Sequence, residues 1–275
     1  MTPTVFHHVV VPLDGSALSE AALDPARRLL GEAQATLYLL RVLAPTENES
    51  PEARDARIES AQAHLREVER RLQPCQHDVE LHVRHGDPAE AILAFSADVS
   101  ADLLAMSSHG RCGLERLVRG SVAERVMRNS PLPVLQVTPC APVGWERGFE
   151  RVLVPLDGSA RSESILPLAK AVARQFGSEL LLFHVRGPRE VESVAPYGPR
   201  AEALLEELRA EGFKASYTQV EGAPAAEILK AAEDTPCALL AMSTRGATGP
   251  QRWIFGSVAE DVLRHARSLA LVQRA

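Results

Sequence analysis

Lysine is the scarcest charged residue in this chain of 275 residues. Of its 30 basic residues only Lys170, Lys214 and Lys230 are lysines, and the first half of the chain has none. A lysine-bearing Walker loop is therefore absent, and any phosphate bound by the first half has to be held by arginine, hydroxyl groups and backbone N–H groups. The net charge of −6 also argues against nucleic acid as the main partner, because binding its phosphates requires clustered positive charge.

Cysteine and long apolar runs are scarce as well. The four cysteines are scattered without a C-x-x-C pair, which argues against both a disulfide framework and a zinc site. No apolar run approaches the roughly 20 residues that a membrane-spanning helix needs. The N-terminus carries neither a basic region nor a cleavage site of the kind found in a signal peptide. From these absences we predict a cytoplasmic protein with no membrane partner and no bound metal centre of its own.

One stretch of the chain occurs twice. Residues 107–124 recur as residues 243–260, and each copy follows an apolar run, passes through a loop with two glycines and ends in Gly-Ser-Val-Ala-Glu. The order of strand, glycine loop and helix start is typical of an anion site. Glycines let the backbone approach a ligand closely, and the free N–H groups of the first helical turn point at it.

The rest of the chain repeats too, which indicates a tandem duplication. The heptapeptide Val-Pro-Leu-Asp-Gly-Ser-Ala occurs at 11–17 and again at 154–160, and residues 222–228 resemble residues 86–92. We therefore predict a first domain over residues 1–139, a linker over 140–150 and a second domain over 151–275. Each half is long enough to bury a hydrophobic core of its own.

Apolar runs alternate with amphipathic segments in the order βαβαβαβαβ within each half. In the first half we predict strands at 7–13, 36–43, 78–84, 102–106 and 132–137, and helices at 17–31, 52–73, 88–97 and 119–129. This alternation predicts an α/β fold of two tandem flavodoxin/Rossmann-like domains. Each would be a five-stranded parallel sheet of order 3-2-1-4-5 with helices on both faces.

The predicted strand order places one acidic residue beside the glycine loop of each half. Parallel α/β sheets bind ligands beyond the carboxyl ends of their strands, where the strand order reverses. Here that point lies between strand one, which ends at Asp14, and strand four, which ends at the loop. Asp14 is either an acceptor for an adenine amine or a ribose hydroxyl, or a turn residue that caps the next helix. The same pairing at Asp157 favours ligand contact.

The Gly-Ser pairs at 120–121 and 256–257 are predicted to place an N-cap serine beside phosphate-binding N–H groups. Among the arginines around the loops we expect about one per loop to contact phosphate. A G-x-S-x-G elbow, an H-E-x-x-H motif and a paired-carboxylate site are all absent from the sequence. We therefore predict no catalytic residue, and at most a slow ATP hydrolysis by an oriented water.

Both halves resemble the universal stress protein family. The resemblance is carried by Val-Pro-Leu-Asp-Gly-Ser in strand one, by Val42 and Val185 in strand two, and by the repeated Ser-x-x-Gly, nine residues, Gly-Ser. It implies a stress-response protein that binds ATP, with or without Mg²⁺, at the strand-1/strand-4 crevices. It also implies that the two domains pack through their fifth strands into an intrachain pseudo-dimer, and a homodimer of the whole chain is a further option.

The pattern of the residues and the resemblance together select two matched sets of nucleotide-binding residues. The first-half set is Asp14, Val42, Gly110, Arg111, Gly113, Gly120, Ser121 and Val122. The second-half set is Asp157, Val185, Gly246, Gly249, Gly256, Ser257 and Val258.

One departure from the family pattern bears on these sites. The nucleotide-binding branch has a glycine where this chain has Ser107 and Ser243. A serine there either crowds the ligand, because backbone approach needs the absence of a Cβ, or helps to hold phosphate through its hydroxyl. The alternatives to nucleotide binding are a nucleotide-free module for dimerisation and protein interaction, and an enzyme of the related adenine-nucleotide α-hydrolase fold.

Overall fold

The computed structural model of this chain describes residues 6–31, 34–107, 121–138, 149–187, 197–235, 238–244 and 256–275. These residues divide into two compact units. The first unit holds residues 6–107 and 121–138, and the second unit holds the described residues from 149 onward. No helix in the described ranges is both long enough and apolar enough to cross a membrane.

The first unit alternates strands and helices as predicted, and its parallel sheet has the order β3-β2-β1-β4-β5 with helices around it. Its elements are β1 (His8–Leu13), α1 (Ala17–Glu20), α2 (Leu23–Leu30), β2 (Thr36–Leu43), α3 (Pro51–Leu72), β3 (Asp78–His85), α4 (Pro88–Asp98), β4 (Leu103–Ser107), α5 (Ser121–Asn129) and β5 (Val134–Val137).

The second unit repeats this topology, with the parallel order β8-β7-β6-β9-β10. Its elements are β6 (Arg151–Pro155), α6 (Ala160–Glu163), α7 (Leu166–Phe176), β7 (Glu179–Arg186), α8 (Gly198–Ala210), β8 (Ala215–Glu221), α9 (Pro224–Asp234), β9 (Ala238–Thr244), α10 (Ser257–His265) and β10 (Leu269–Arg274). The predicted fold class and the predicted strand order are confirmed in both units.

The single helix predicted over 17–31 is wrong. The chain forms α1 and α2 instead, and the turn between them is closed by hydrogen bonds from Ala21 N to Leu18 O and from Ala22 N to Ser19 O. Pro25 lies in the first turn of α2 and has no N–H, so it cannot make the bond to Ala21 O that a continuous helix needs. The second unit breaks at the matching place, and Pro167 stands in the first turn of α7.

The central strands are buried on both faces, as parallel strands covered by helices are. Val9, Val10 and Val11 of β1 have no exposed surface, and the edge strand β3 is partly exposed along its length. Phe149 precedes β6 and is also buried, where its ring meets Phe176 of α7 edge-on at 5.1 Å. The core of the second unit thus includes a residue two positions before its first strand.

Candidate functional site

A cleft of about 600 Å³ opens at the carboxyl ends of β6, β7 and β9 in the second unit. Since β6 lies between β7 and β9 in the sheet, this is the place where the strand order reverses and where parallel sheets bind ligands. Its size falls in the range of small-molecule pockets. The cleft is lined by Pro155, Leu156, Asp157, Ser159, Ala160, Arg161, Ser162, Phe183, Val185, Pro224, Ile228, Met242, Ser243, Thr244, Gly256, Ser257, Val258 and Ala259.

Five residues of the predicted second-half set meet in this cleft. Asp157 follows β6, Val185 lies on β7, and the other three form the start of α10. These three are Gly256, Ser257 and Val258. Gly246 and Gly249 lie outside the described residues. The structure therefore gathers around one space the residues that the sequence analysis selected from three separate segments.

The loop between β6 and α6 presents the carboxylate of Asp157 to the cleft. Oδ1 of Asp157 accepts hydrogen bonds from Ser159 N at 3.0 Å and from Ser159 Oγ at 2.6 Å. Ser159 Oγ in turn caps α6 by accepting from Ser162 N at 3.1 Å. Asp157 is thus a turn residue, as one interpretation predicted, but the residue that caps the next helix is Ser159 and not Asp157. The turn is compatible with ligand contact, because Asp157 also lines the cleft.

Asp157 is an ionised acceptor at neutral pH. Partial burial raises the pKa of its carboxyl group, but hydrogen bonds from Ser159 and Ser162 outweigh that effect and hold the pKa below the usual value. A carboxylate accepts hydrogen bonds and donates none, so its natural partners in a ligand are amine and hydroxyl groups.

His184 and Tyr197 support this loop from behind. His184 lies on β7, is 4% exposed, and donates from Nδ1 to Leu156 O at 2.8 Å, because a carbonyl oxygen only accepts. The ring of Tyr197 lies 4.9 Å from the imidazole. The ring of Tyr197 also covers Gly158, and a Cβ added to Gly158 would lie 3.0 Å from Tyr197 Cδ2. The φ of Gly158 is +81°, which favours glycine. The hydrogen bond from His184 thereby holds Leu156, the residue before Asp157, in place.

The N-terminus of α10 forms another wall of the cleft. Its N-cap is Gly256, whose carbonyl accepts from Glu260 N at 2.9 Å, and no side chain caps it. The predicted N-cap role of Ser257 is therefore wrong, because Ser257 is already the first helical residue. Backbone N–H groups of a first helical turn carry a partial positive charge, so this wall suits an anion.

Ser243 at the end of β9 stands where the nucleotide-binding branch of the family has a glycine. Its hydroxyl donates to the backbone carbonyl of Arg161 on α6 at 2.6 Å. The serine side chain is thus hydrogen-bonded to the cleft wall, and the cleft beside it stays open. The matching Ser107 differs, since its Oγ is buried and has no hydrogen-bond partner in the described part of the chain.

The first unit builds the same loop around Asp14. Oδ1 of Asp14 accepts from Ser16 N at 2.9 Å and from Ser16 Oγ at 2.5 Å, and Ser16 caps α1 by accepting from Ser19 N. Val42 near the end of β2 and Val122 in α5 are half-buried. Gly110, Arg111, Gly113 and Gly120 lie outside the described residues, as does the side chain of Ser121, at which α5 begins.

Arg41 takes the place of His184 in the first unit. Its Nη1 donates to Leu13 O at 3.2 Å, the carbonyl that matches Leu156 O. Its guanidinium lies against Gly15, where a Cβ would be 2.9 Å from Nη1. Burial lowers the pKa of Arg41, and the attraction of Asp14 opposes that shift. A cation thus stands behind the first aspartate, where the second unit has an imidazole.

Several residues of the cleft are not among the predicted site residues. Phe183 lies two residues before Val185 on β7 and therefore shares its face, a signal that strand alternation supplies. Pro224 and Ile228 come from α9, and Arg161 comes from α6. Nothing local in the sequence marks Arg161, because the same position in the first half holds Leu18.

Comparison with known proteins agrees with the duplicated fold. The model of the universal stress protein family matches the chain twice, at residues 6–138 and 148–273. A universal stress protein of Methanocaldococcus jannaschii is 31% identical over 140 residues, which cover 48% of this chain and 82% of that protein. One of Mycolicibacterium smegmatis is 25% identical over 97% of this chain and 96% of its own length. The crystal structure of one from Archaeoglobus fulgidus matches with a TM-score of 0.84 and 26% identity, covering 97% of this chain and 98% of that one.

Proposed function

This chain belongs to the universal stress protein family, and from that premise we propose that it binds an adenine nucleotide in each unit, with ATP as the ligand. The observation that carries the proposal is the second-unit cleft, where an acidic acceptor, apolar walls and an uncapped helix N-terminus meet. These are the three surfaces that a nucleotide requires: an acceptor for amine or hydroxyl groups, a cover for the base and a positive end for the phosphates.

The adenosine end of the ligand fits the side of the cleft near β6 and β7. Phe183, Val185 and Ile228 supply apolar surface that would be buried against a planar base. Asp157 follows β6 beside them, and its ionised carboxylate accepts from an amine of the base or a hydroxyl of the ribose. Both halves of the chain carry the aspartate and the valine, as Asp14 and Val42 in the first unit.

The phosphate end fits the start of α10. Gly256 brings no side chain to this wall, and the helix that begins at Ser257 directs its first N–H groups at whatever binds there. The matching residues of the first half are Gly120, Ser121 and Val122. The remaining loop residues of both sets, Gly110, Arg111, Gly113, Gly246 and Gly249, belong to the proposed sites by sequence.

The proposed role is binding and not turnover. Among the described residues that line the cleft, the only charged ones are Asp157 and Arg161, and none is a lysine, histidine or cysteine. Asp157 is already engaged by Ser159, which disfavours it as a general base. At most an oriented water would hydrolyse ATP slowly, whether or not Mg²⁺ accompanies the nucleotide. We also propose a role in the stress response, which is supported at the level of the family, and a cytoplasmic location.

One solved universal stress protein holds cAMP, itself an adenine nucleotide. That ligand is a property of that protein. Titration of this chain with different adenine nucleotides would show whether it prefers ATP.

The fifth strands of the two units are proposed to pair within one chain, since unpaired sheet edges invite aggregation. A crystal structure with β5 and β10 apart would contradict the pairing, and sedimentation would show whether a homodimer also forms.

The proposal is tested by calorimetric titration of the nucleotide-stripped chain with ATP, with and without Mg²⁺. We expect two ATP per chain in the wild type and one in each of Gly120→Val and Gly256→Val, because a branched side chain at the start of the helix fills the phosphate end. Gly256→Ala, which adds a single carbon, is the matched control and should retain more affinity. Saturable binding at one site only would assign nucleotide to one unit. No heat in the wild type would overturn the proposal and favour the interaction module.

A further inference from the structure

We propose that Arg161 strengthens the selection of nucleotides by the charge of their phosphate tail in the second-unit cleft, through a contact that Leu18 cannot make in the first unit. The inference rests on the proposed function, since it takes the cleft to be a nucleotide site. It concerns a residue that lies outside the repeated glycine motif and differs between the two halves of the chain. Its chemical content is a contact between a guanidinium group and the outer phosphates of a nucleoside di- or triphosphate.

Within the described part of the chain, the residues that line the second-unit cleft are nearly identical to their sequence counterparts in the first half, and the few differences among them are candidates for a difference in binding. Each residue that lines the second-unit cleft has a counterpart in the first half of the sequence. The residue type differs at only three of these positions. Arg161 corresponds to Leu18 in the first half, Phe183 corresponds to Leu40, and Thr244 corresponds to Ser108. The last two exchanges keep the chemical class or change only size, whereas the first replaces an apolar side chain with a cation.

Arg161 changes the electrostatic balance of the cleft. Asp157 and Arg161 are the only charged residues among the described ones that line it. Without the arginine, the one formal charge among these described residues would be the carboxylate of Asp157, which repels phosphate. With it, the cleft pairs an acidic group on the loop after β6 with a basic group on the following helix, α6. Ligands that carry more negative charge gain more from that addition.

The backbone of Arg161 is anchored on two sides of the cleft wall. On one side, the carbonyl of Arg161 accepts from Ser243 Oγ at 2.6 Å, which ties α6 to the end of β9. On the other side, the carboxylate of Glu163 accepts from Arg200 Nη2 at 2.6 Å and from Arg200 Nε at 3.1 Å, which ties the same helix to α8. The helix that carries Arg161 is therefore ordered before a ligand arrives, so that binding does not have to order its backbone.

Arg161 and the start of α10 act on the same space. Both line the cleft. A helix terminus attracts phosphate through partial charges on its N–H groups, and an arginine does so through a full charge on a planar fork of donors. A phosphate tail between them is held from two directions. Because Arg161 is exposed, the gain is expected to be modest and sensitive to salt.

The test is an exchange of this residue between the units. Nucleotide-stripped wild type, Arg161→Leu and Leu18→Arg are titrated with ATP, ADP, AMP and adenosine at low and at high salt. We expect Arg161→Leu to weaken ATP at one of the two sites by about 5-fold, AMP by less, and adenosine not at all. Leu18→Arg should strengthen ATP at the other site by a similar factor. Arg161→Lys keeps the charge and should retain most of the ATP preference, which separates charge from folding.

Each other outcome counts against the inference. Equal weakening of ATP and adenosine by Arg161→Leu would make Arg161 a structural residue with no role in charge selection. Unchanged ATP affinity in that variant, with normal binding by the wild type, would refute the inference and leave the proposed function standing. No nucleotide binding by the wild type would refute the proposed function and, with it, this inference.

Discussion

The two units hold the same Asp-Gly-Ser loop with different side chains. In the first, the guanidinium of Arg41 donates to Leu13 O, and in the second the imidazole of His184 donates to Leu156 O. The carbonyl before the aspartate is buried among strands and needs a donor, and any side chain that brings an N–H to it satisfies that need. Duplication has therefore preserved a hydrogen bond and not a residue type.

The short helix after this loop shows the same pattern. In the first unit Glu20 on α1 accepts from His64 Nε2 at 2.9 Å and from Arg71 Nη2 at 2.6 Å, both on α3. In the second unit Glu163 on α6 accepts from Arg200 on α8. The glutamate is the same in both units and its partners differ, because several positions along the facing helix can reach one carboxylate.

The largest effect is expected from removal of the buried imidazole. His184→Ala leaves the carbonyl of Leu156 without this donor and opens a cavity beside Tyr197, which should destabilise the second unit by about 3 kcal/mol. Arg41→Ala should cost the first unit less, because water can reach the half-exposed site of Arg41. Native-state hydrogen exchange of amides in β7 and β2 reads the two units separately. Equal destabilisation of the two units by the two substitutions would contradict the expected difference between them.

A smaller difference is expected at the glycines of the two loops. Gly15 and Gly158 have φ values of +85° and +81°, so alanine is strained at both by about 1–2 kcal/mol. At Gly158 the new Cβ meets the ring of Tyr197 at 3.0 Å, whereas at Gly15 it meets the flexible end of Arg41. Gly158→Ala should therefore destabilise its unit more than Gly15→Ala, as measured by the same exchange experiment. The reverse order would show that the ring yields more easily than the guanidinium.

The N-termini of α4 and α9 allow a gain and a loss to be compared. Asp87 caps α4 by accepting from Glu90 N at 3.1 Å and also binds Arg125, whereas Ala223 precedes α9 without any side-chain cap. Ala223→Asp should stabilise the second unit by about 0.5–1 kcal/mol. Asp87→Ala should lower the thermal midpoint of the first unit. If Ala223→Asp leaves stability unchanged, the loop before α9 does not admit the capping geometry.

The smallest effect is expected from acid. Partial burial raises the pKa of Glu20, but hydrogen bonds from His64 and Arg71 outweigh it and hold the pKa below the usual value. Stability from such a group is present above its unfolded pKa of about 4.3 and is lost as the pH falls through its lower folded pKa. The stability of the first unit should therefore fall faster below pH of about 4 in the wild type than in Glu20→Gln. If the wild type and Glu20→Gln lose stability in parallel as the pH falls, Glu20 does not contribute to the acid sensitivity of the first unit.

Local patterns in the sequence account for most of the fold. The alternation of apolar runs and amphipathic segments predicted the strand order in both units, and element ends agree within two residues outside the region of 17–31. The physical reason is that burial repeats every 2 residues along a strand and every 3.6 residues along a helix, so that each segment carries the pattern of its own element. The single helix predicted over 17–31 is wrong because Pro25 lacks the N–H that a continuous helix requires, a signal that the sequence itself contains.

The sequence by itself determined the duplication, the α/β order and the positions of Asp14, Asp157 and the two Gly-Ser pairs, since each is a local or repeated pattern. Only the tertiary structure decided which side chains surround them. The bond from Ser243 to Arg161 joins residues 82 positions apart, and the support of Leu156 by His184 joins residues 28 apart. Such contacts form because the carboxyl ends of parallel strands meet at one edge of the sheet, and no period within a single segment encodes which side chains arrive there.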